Sequence, residues 1–247
     1  MGIYMVKNIP VISWRFGDEY YITEFIKPNT YMVEYVAEKL KGKDNVETVL
    51  NIAKFIRDNF YYPLDSRGNP STDGQFLKSK RTMFSYHFKK CVQYMWLFPS
   101  EVLNMGFGIC IDTSVLAVSL MRKLNIDSWC VLGAVYNANG DLLGYHAWAE
   151  FLINNEWFIL ETTIHEKGTA NIIKRFDGYS GKYGIRYEPF AKFNEREYFE
   201  IKSLVPLFNF YGMSKKIIKR LEKRKQKEIW NTYKEVTPLI KSILKRG

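Results

Sequence analysis

Residues 108–135 read G-I-C-I-D-T-S-V-L-A-V-S-L-M-R-K-L-N-I-D-S-W-C-V-L-G-A-V, and residues 144–163 read G-Y-H-A-W-A-E-F-L-I-N-N-E-W-F-I-L-E-T-T. The first stretch opens as a helix. Val115, Leu116, Val118, Leu120 and Leu124 recur at helical spacing and give it a buried face, and Asn125 is a plausible stop. The period then changes. Trp129 to Val135, Tyr145 to Ile153 and Trp157 to Leu160 are rich in β-branched and aromatic residues, with N-A-N-G-D and N-N as turn signals between them. A helix followed by an antiparallel meander implies an α+β fold with the helix packed on the sheet.

The register of the last two strands follows from the turn. If Asn154-Asn155 is a two-residue turn, paired positions sum to 309 and Glu161 lies opposite Trp148. His146 is two residues from Trp148, so it shares a face with Glu161 on the diagonal. Diagonal pairs sit roughly 7 Å apart at Cα, within reach of a carboxylate for an imidazole. A slip of one residue would put the two on opposite faces.

Three side chains in this stretch have the chemistry of a nucleophile, a base and its orienter. Cys110 follows the glycines Gly106 and Gly108 and opens the helix. There it faces unpaired N–H groups at the positive end of the dipole, a setting that suits a thiolate nucleophile and the oxyanion it creates. Asp112 is expected to satisfy first-turn N–H groups. Cys130, within W-C-V-L-G, reads as a small buried apolar residue.

The segments G-I-C-I-D, R-K-L-N-I-D-S, G-Y-H-A-W-A-E and W-F-I-L-E-T-T resemble the core of the transglutaminase-like superfamily, a branch of the papain-like cysteine hydrolase folds. The resemblance covers about residues 95–165. It implies that Cys110 attacks a carbonyl, His146 shuttles the proton and Glu161 orients the histidine. The family usually carries aspartate, proline and threonine at the third motif, whereas Glu161 is followed by Thr162 and Thr163. A longer acid can still orient a histidine if a shift of its strand absorbs the extra reach. Papain-like enzymes also place a side-chain donor upstream of the cysteine, and by position Gln93 and Trp96 are the candidates here. The zinc-bearing glycanase relatives use CxxC pairs, which this chain lacks, and vertebrate-type transglutaminases carry extra β-domains. A protease or amidase acting on peptide or isopeptide amides through a thioester is therefore the expected activity. The alternative is a catalytically inactive scaffold of the same fold that binds an anionic partner.

Composition sets outer limits. The 247 residues are 47% apolar and 16% aromatic, enough for one sizeable core. No run of some 18 apolar residues suggests a membrane span, and no secretory leader is visible at the N-terminus. Three cysteines without close pairing fit a reducing compartment, so the cytoplasm is the expected location. Charge is uneven: residues 214–247 hold 12 of the 36 Lys and Arg but 3 of the 26 Asp and Glu. The remaining 24 and 23 leave the body nearly neutral.

The organisation expected is a transglutaminase-like domain over residues 1–212 and a basic helical tail over 213–247. Ile229, Tyr233, Val236, Ile240 and Ile243 form one apolar stripe on that tail, and Pro238 should kink it. The stripe suits docking on the body with a solvated basic face; the cluster K-K-I-I-K-R-L-E-K-R-K-Q-K would also attract a polyanion or a membrane surface. Elsewhere, residues 3–27 read as short strands, Thr30 to Leu40 as a helix, and Asp44 with Glu47 as a capping-box start of a second helix reaching Phe60. Residues 63–82 read as a long polar loop, and Pro99-Ser100-Glu101 starts a short helix ending at Gly106. His87 and Cys91, four apart, lack the further ligands a metal site needs, and no metal or cofactor is expected. His165 is placed at the rim of the site. Residues 166–184 read as glycine-rich loop with short elements, followed by strands at Ile185 to Tyr187 and Tyr198 to Ile201.

Overall fold

The computed structural model describes residues 3–5, 9–15, 18–62, 96–163 and 171–201. The long polar loop, His87, Cys91, Gln93, His165 and the basic tail lie outside the described residues. Strands β1 (Ile3–Met5), β2 (Val11–Arg15) and β3 (Asp18–Tyr21) are followed by a 3-10 turn (Ile22–Phe25). Helices α1 (Tyr31–Leu40), α2 (Asn45–Asn59), α3 (Pro99–Met105) and α4 (Cys110–Lys123) come next. The strands β4 (Ser128–Asn137), β5 (Leu142–Ile153), β6 (Glu156–Leu160) and β7 (Ile172–Lys174) lead into a short helix α5 (Arg175–Ser180), and β8 (Ile185–Phe193) and β9 (Tyr198–Ile201) complete the order.

Seven of these strands form one sheet in the order β1-β9-β8-β4-β5-β6-β7, with every neighbouring pair antiparallel. Helix α4 packs on β4 and β5, and α1, α2 and α3 also pack against α4. The architecture is thus α+β with the cysteine-bearing helix on an antiparallel sheet. Enclosure is tighter than the stripe of apolar positions predicts, because every residue from Ile111 to Met121 is buried. The polar residues among them are satisfied locally. Ser119 Oγ donates to the Val115 carbonyl at 2.7 Å and accepts from the Lys27 N–H at 3.0 Å. Thr113 Oγ1 donates to the Ile109 carbonyl at 3.2 Å. Such hydroxyls lie inside a protein without the cost of an unpaired polar group.

Caps and turns follow the chain's own chemistry. The Asp44 carboxylate accepts from the Glu47 N–H at 2.8 Å, and Glu47 accepts in turn from the Lys43 N–H at 2.8 Å. The Glu101 carboxylate accepts from the Phe98 N–H, and Gly106 ends α3 with φ 71°. Asn125 follows α4 in the left-handed region, φ 59°. Asn154 and Asn155 both have positive φ, 49° and 63°, as a two-residue primed turn requires. β5 pairs with β6 as Ala149 with Leu160, Phe151 with Phe158 and Ile153 with Glu156, the register in which positions sum to 309. The third motif's longer acid has therefore not been accommodated by a slip of β6.

One strand runs further than its sequence suggests. The reading placed a strand at Ile185 to Tyr187, but β8 continues to Phe193 through Pro189. A proline argues against a central strand, since it donates no ladder hydrogen bond. Here it sits at a bulge: Leu132 pairs with Ala191 and Gly133 with Pro189, which leaves Phe190 as the extra residue.

Candidate active site

Cys110 is the first residue of α4 and is partly exposed. The loop before it is fixed on two sides. The Tyr61 N–H donates to the Gly106 carbonyl and the Gly108 N–H donates to the Tyr61 carbonyl, each at 3.3 Å, tying the loop to the chain just past α2. Asp112 closes the other side, its Oδ2 accepting from the Ile109 N–H at 2.9 Å and its Oδ1 from the Leu97 N–H at 2.8 Å. Asp112 is thus engaged with backbone donors, one on Ile109 just before the first turn rather than within it, and one from the segment that carries Trp96. Gly108 makes this possible. A Cβ there would lie 2.8 Å from that of Asp112.

His146 lies on β5 and is 6% exposed; Glu161 follows the end of β6 and is 4% exposed. His146 Nε2 and Glu161 Oε2 are 2.8 Å apart. The Cys110 thiol acts on the same ring and helps to raise its pKa. Residues from α4, β5 and the end of β6 therefore converge on one imidazole. Burial opposes charge on that ring, but the Glu161 carboxylate and hydrogen bonds to Cys110 and Glu161 outweigh it and push the His146 pKa up to about 10. Burial likewise opposes charge on Glu161, and the His146 cation with the Thr163 donors overcomes it, holding the carboxyl below its ordinary range. Both shifts favour an imidazolium–carboxylate pair.

Glu161 has further partners that the sequence did not reveal. The Thr163 N–H and hydroxyl donate to Oε1 at 3.0 and 2.7 Å. The Tyr187 hydroxyl donates to Oε2 at 3.1 Å. The backbone is anchored as well: the Glu161 N–H donates to the Asn171 carbonyl at 2.7 Å and Asn171 Nδ2 returns a bond to the Glu161 carbonyl at 3.1 Å. Thr163 was within sight, two residues from the acid, where side-chain-to-backbone bonds are common. Tyr187 comes from β8 and carries no local signal.

Behind the histidine lies a second buried acid. The His146 ring stacks at 6.4 Å on Trp148, whose indole N–H donates to Glu150 Oε1 at 3.1 Å. Tyr179 Oη also donates to Glu150 Oε1, and Arg175 pairs with Oε2 at 3.4 Å. Burial pushes the Glu150 carboxyl up, against these donors. Trp148 in turn occupies the space over Gly133, where a Cβ would meet the indole at 2.3 Å.

Of the two upstream donor candidates, Trp96 is described. It is 3% exposed, with its ring edge against Phe25 at 5.3 Å. Gln93 lies outside the described residues. Cys130 is fully buried on β4, and burial raises its thiol pKa well above the ordinary value. Among the described residues no group of three or more His, Cys, Asp and Glu side chains could hold a metal ion, and no helix is long and apolar enough to cross a membrane.

Comparison with known proteins places the chain in a family. The chain is 27% identical over 162 residues to a UPF0252 protein of Methanocaldococcus jannaschii, across 63% of this chain and 41% of that one. It is 26% identical over 149 residues to a UPF0252 protein of Archaeoglobus fulgidus, across 60% and 44%. The chain thus spans less than half the length of either relative. Among solved structures it is similar to Legionella pneumophila LapG, with a TM-score of 0.42 and 16% identity over 79% of this chain and 98% of that one. The family model described as a transglutaminase-like domain matches residues 31–168, more than half of the sequence, and on that match the chain belongs to the transglutaminase-like domain family.

Proposed function

We propose that the protein is a cysteine-dependent acyl-transfer enzyme, a protease- or amidase-type hydrolase of peptide or isopeptide amides. The observation that carries this reading is the buried His146–Glu161 pair at 2.8 Å, beside Cys110 at the start of α4, whose thiol acts on the same imidazole. Nε2 is occupied by Glu161, so Nδ1 is the nitrogen left for sulfur. In the proposed reaction the Cys110 thiolate adds to the amide carbonyl and His146 holds the sulfur's former proton. The N–H groups of the first turn of α4 have no acceptor within the helix and face the oxyanion; the side chain of Gln93 or Trp96 completes the hole. Collapse of the intermediate breaks the C–N bond, and the imidazolium gives its proton to the departing amine. Water, deprotonated by His146, then adds to the thioester and releases the acid, and the thiolate–imidazolium pair is restored. Glu161 stays ionised and holds the ring in one tautomer.

The test is alkylation by iodoacetamide as a function of pH, read by peptide mapping. Labelling at Cys110 at pH 6 should exceed that of an ordinary thiol by up to about three-hundredfold, the ratio set by the thiolate fraction of a free cysteine. His146→Ala should remove that excess. Labelling at an ordinary rate, indifferent to His146, would favour the inactive scaffold instead. With a peptide or isopeptide library as substrate, Cys110→Ala should show no turnover while keeping the wild-type melting profile.

A further inference from the structure

Glu161 is held by more donors than the orientation of one histidine demands. An ionised carboxylate offers about four acceptor positions, and all four are used here. Oε1 takes the Thr163 N–H and hydroxyl, and Oε2 takes the Tyr187 hydroxyl and His146. A glutamate has one more rotatable bond than the aspartate usual at this motif, and each rotor left loose costs precision. Three donors other than His146, on two strand-linked segments, remove that freedom. The Tyr187 ring is itself fixed edge-on against Trp148 at 5.1 Å, and Trp148 is the ring on which His146 stacks. The phenol is therefore braced by the same side chain that braces the histidine.

We propose that Thr163 and Tyr187 are positioning residues, a donor clamp on Glu161 whose chief effect is to limit how strongly the carboxylate holds the imidazolium proton of His146. The inference rests on His146 as the proton carrier. Each donor draws charge from the carboxylate, so removing one leaves a more basic acid and a histidine that releases its proton less readily. The groups facing the ring are the Cys110 thiol from α4 and Glu161 from the end of β6, with the Tyr187 phenol behind the acid on β8. Glu150 lies further along β5, turned to Trp148, Arg175 and Tyr179.

The experiment is an NMR titration of histidine-labelled protein. The chain has three histidines, and His146 is identified by the signal lost in His146→Gln. Tyr187→Phe removes one oxygen and keeps the ring against Trp148. It should raise the His146 midpoint by about half a unit to one unit, a part of the roughly 1–2 units that a whole hydrogen bond to a charged group is worth, because Glu161 stays ionised in both states of the ring. Thr163→Val should move it the same way, while Thr163→Ser, which keeps both donors, should restore the wild-type midpoint. If Tyr187→Phe does not fold, the threonine pair carries the test alone. A midpoint that stays or falls in the folded variants, or a serine variant that behaves like valine, overturns the clamp. Alkylation kinetics separate this from the nucleophile assignment. Labelling of wild-type Cys110 that ignores His146 defeats the latter, whatever the titration shows.

Discussion

Along β5, Ala147, Ala149 and Phe151 belong to the core beneath the helices, whereas Trp148 belongs to the smaller cluster on the other face. His146 stacks on that tryptophan and Glu150 accepts its N–H. One strand thus sorts its residues by parity. The two sets solve burial differently. Toward the helices, apart from Asp112 at the start of α4, the buried polar groups of α4 and its neighbour after β6 are hydroxyls: Thr162 Oγ1 meets Thr113 Oγ1 at 2.8 Å and Ser114 Oγ at 3.1 Å. On the other set lie two buried glutamates, each ringed by tyrosine and other donors. A hydroxyl is satisfied by one or two close neighbours, whereas each glutamate gathers donors from separate segments: Glu161 from β5, β8 and Thr163, Glu150 from Trp148 and from Arg175 and Tyr179 of α5. The charged network therefore lies on the sheet's side, where distant segments meet, and Cys110 at the start of α4 joins it through His146.

The sharpest way to break the contrast is by pH. His146 is raised from an ordinary 6.5 to about 10, so its contribution to stability is complete below about 6.5 and fades as pH rises toward 10. Glu161 is lowered, so its contribution is complete above its ordinary 4.5 and fades as pH falls through the depressed value. The stability difference between wild type and His146→Gln, from urea midpoints, should be widest between these limits and narrow on both sides. A difference that is flat in pH would mean that the pair is not ionised. Glu150→Ala comes next. It leaves the Trp148 and Tyr179 donors without their acceptor and unpairs Arg175, and should cost about 3–5 kcal/mol. Gly133→Ala acts by packing: its methyl would meet Trp148 and, at 2.4 Å, the Glu188 carbonyl. A loss of about 1–3 kcal/mol is expected, together with slower alkylation of Cys110, because Trp148 backs His146. Thr162→Val, on the helix side, should cost about 1 kcal/mol and leave the alkylation profile of Cys110 unchanged. If it altered that profile as much as Gly133→Ala, the division between the two sets would fail.

Much of this was legible in the residues themselves. The Asn-Asn turn gave the register that puts His146 and Glu161 on one face, and the glycines with Pro99 and Asn125 bounded the two helices around Cys110. These are local signals, carried by backbone conformations that few residues adopt. The unread parts depend on long-range pairing. Nothing near Tyr187 points to Glu161, because the two meet only once β8 has paired with β4. The strand itself was underestimated because Pro189 reads as a terminator unless a bulge absorbs it. Helix α4 looked one-sided because Thr113, Ser114 and Ser119 counted as polar, although each finds a partner without reaching water.

The turn at Asn154 and Asn155 also constrains how this segment can change in length. Both positions need positive φ, and the pairing they set decides which residues of β6 share a face with His146. One residue inserted into β6 between the turn and Glu161 would exchange the faces and carry Glu161 away from the histidine, whereas two residues could be added with the parity kept. Lineages of this protein should therefore tolerate length variation at this hairpin in steps of two, and an odd step should coincide with loss of the acid's role.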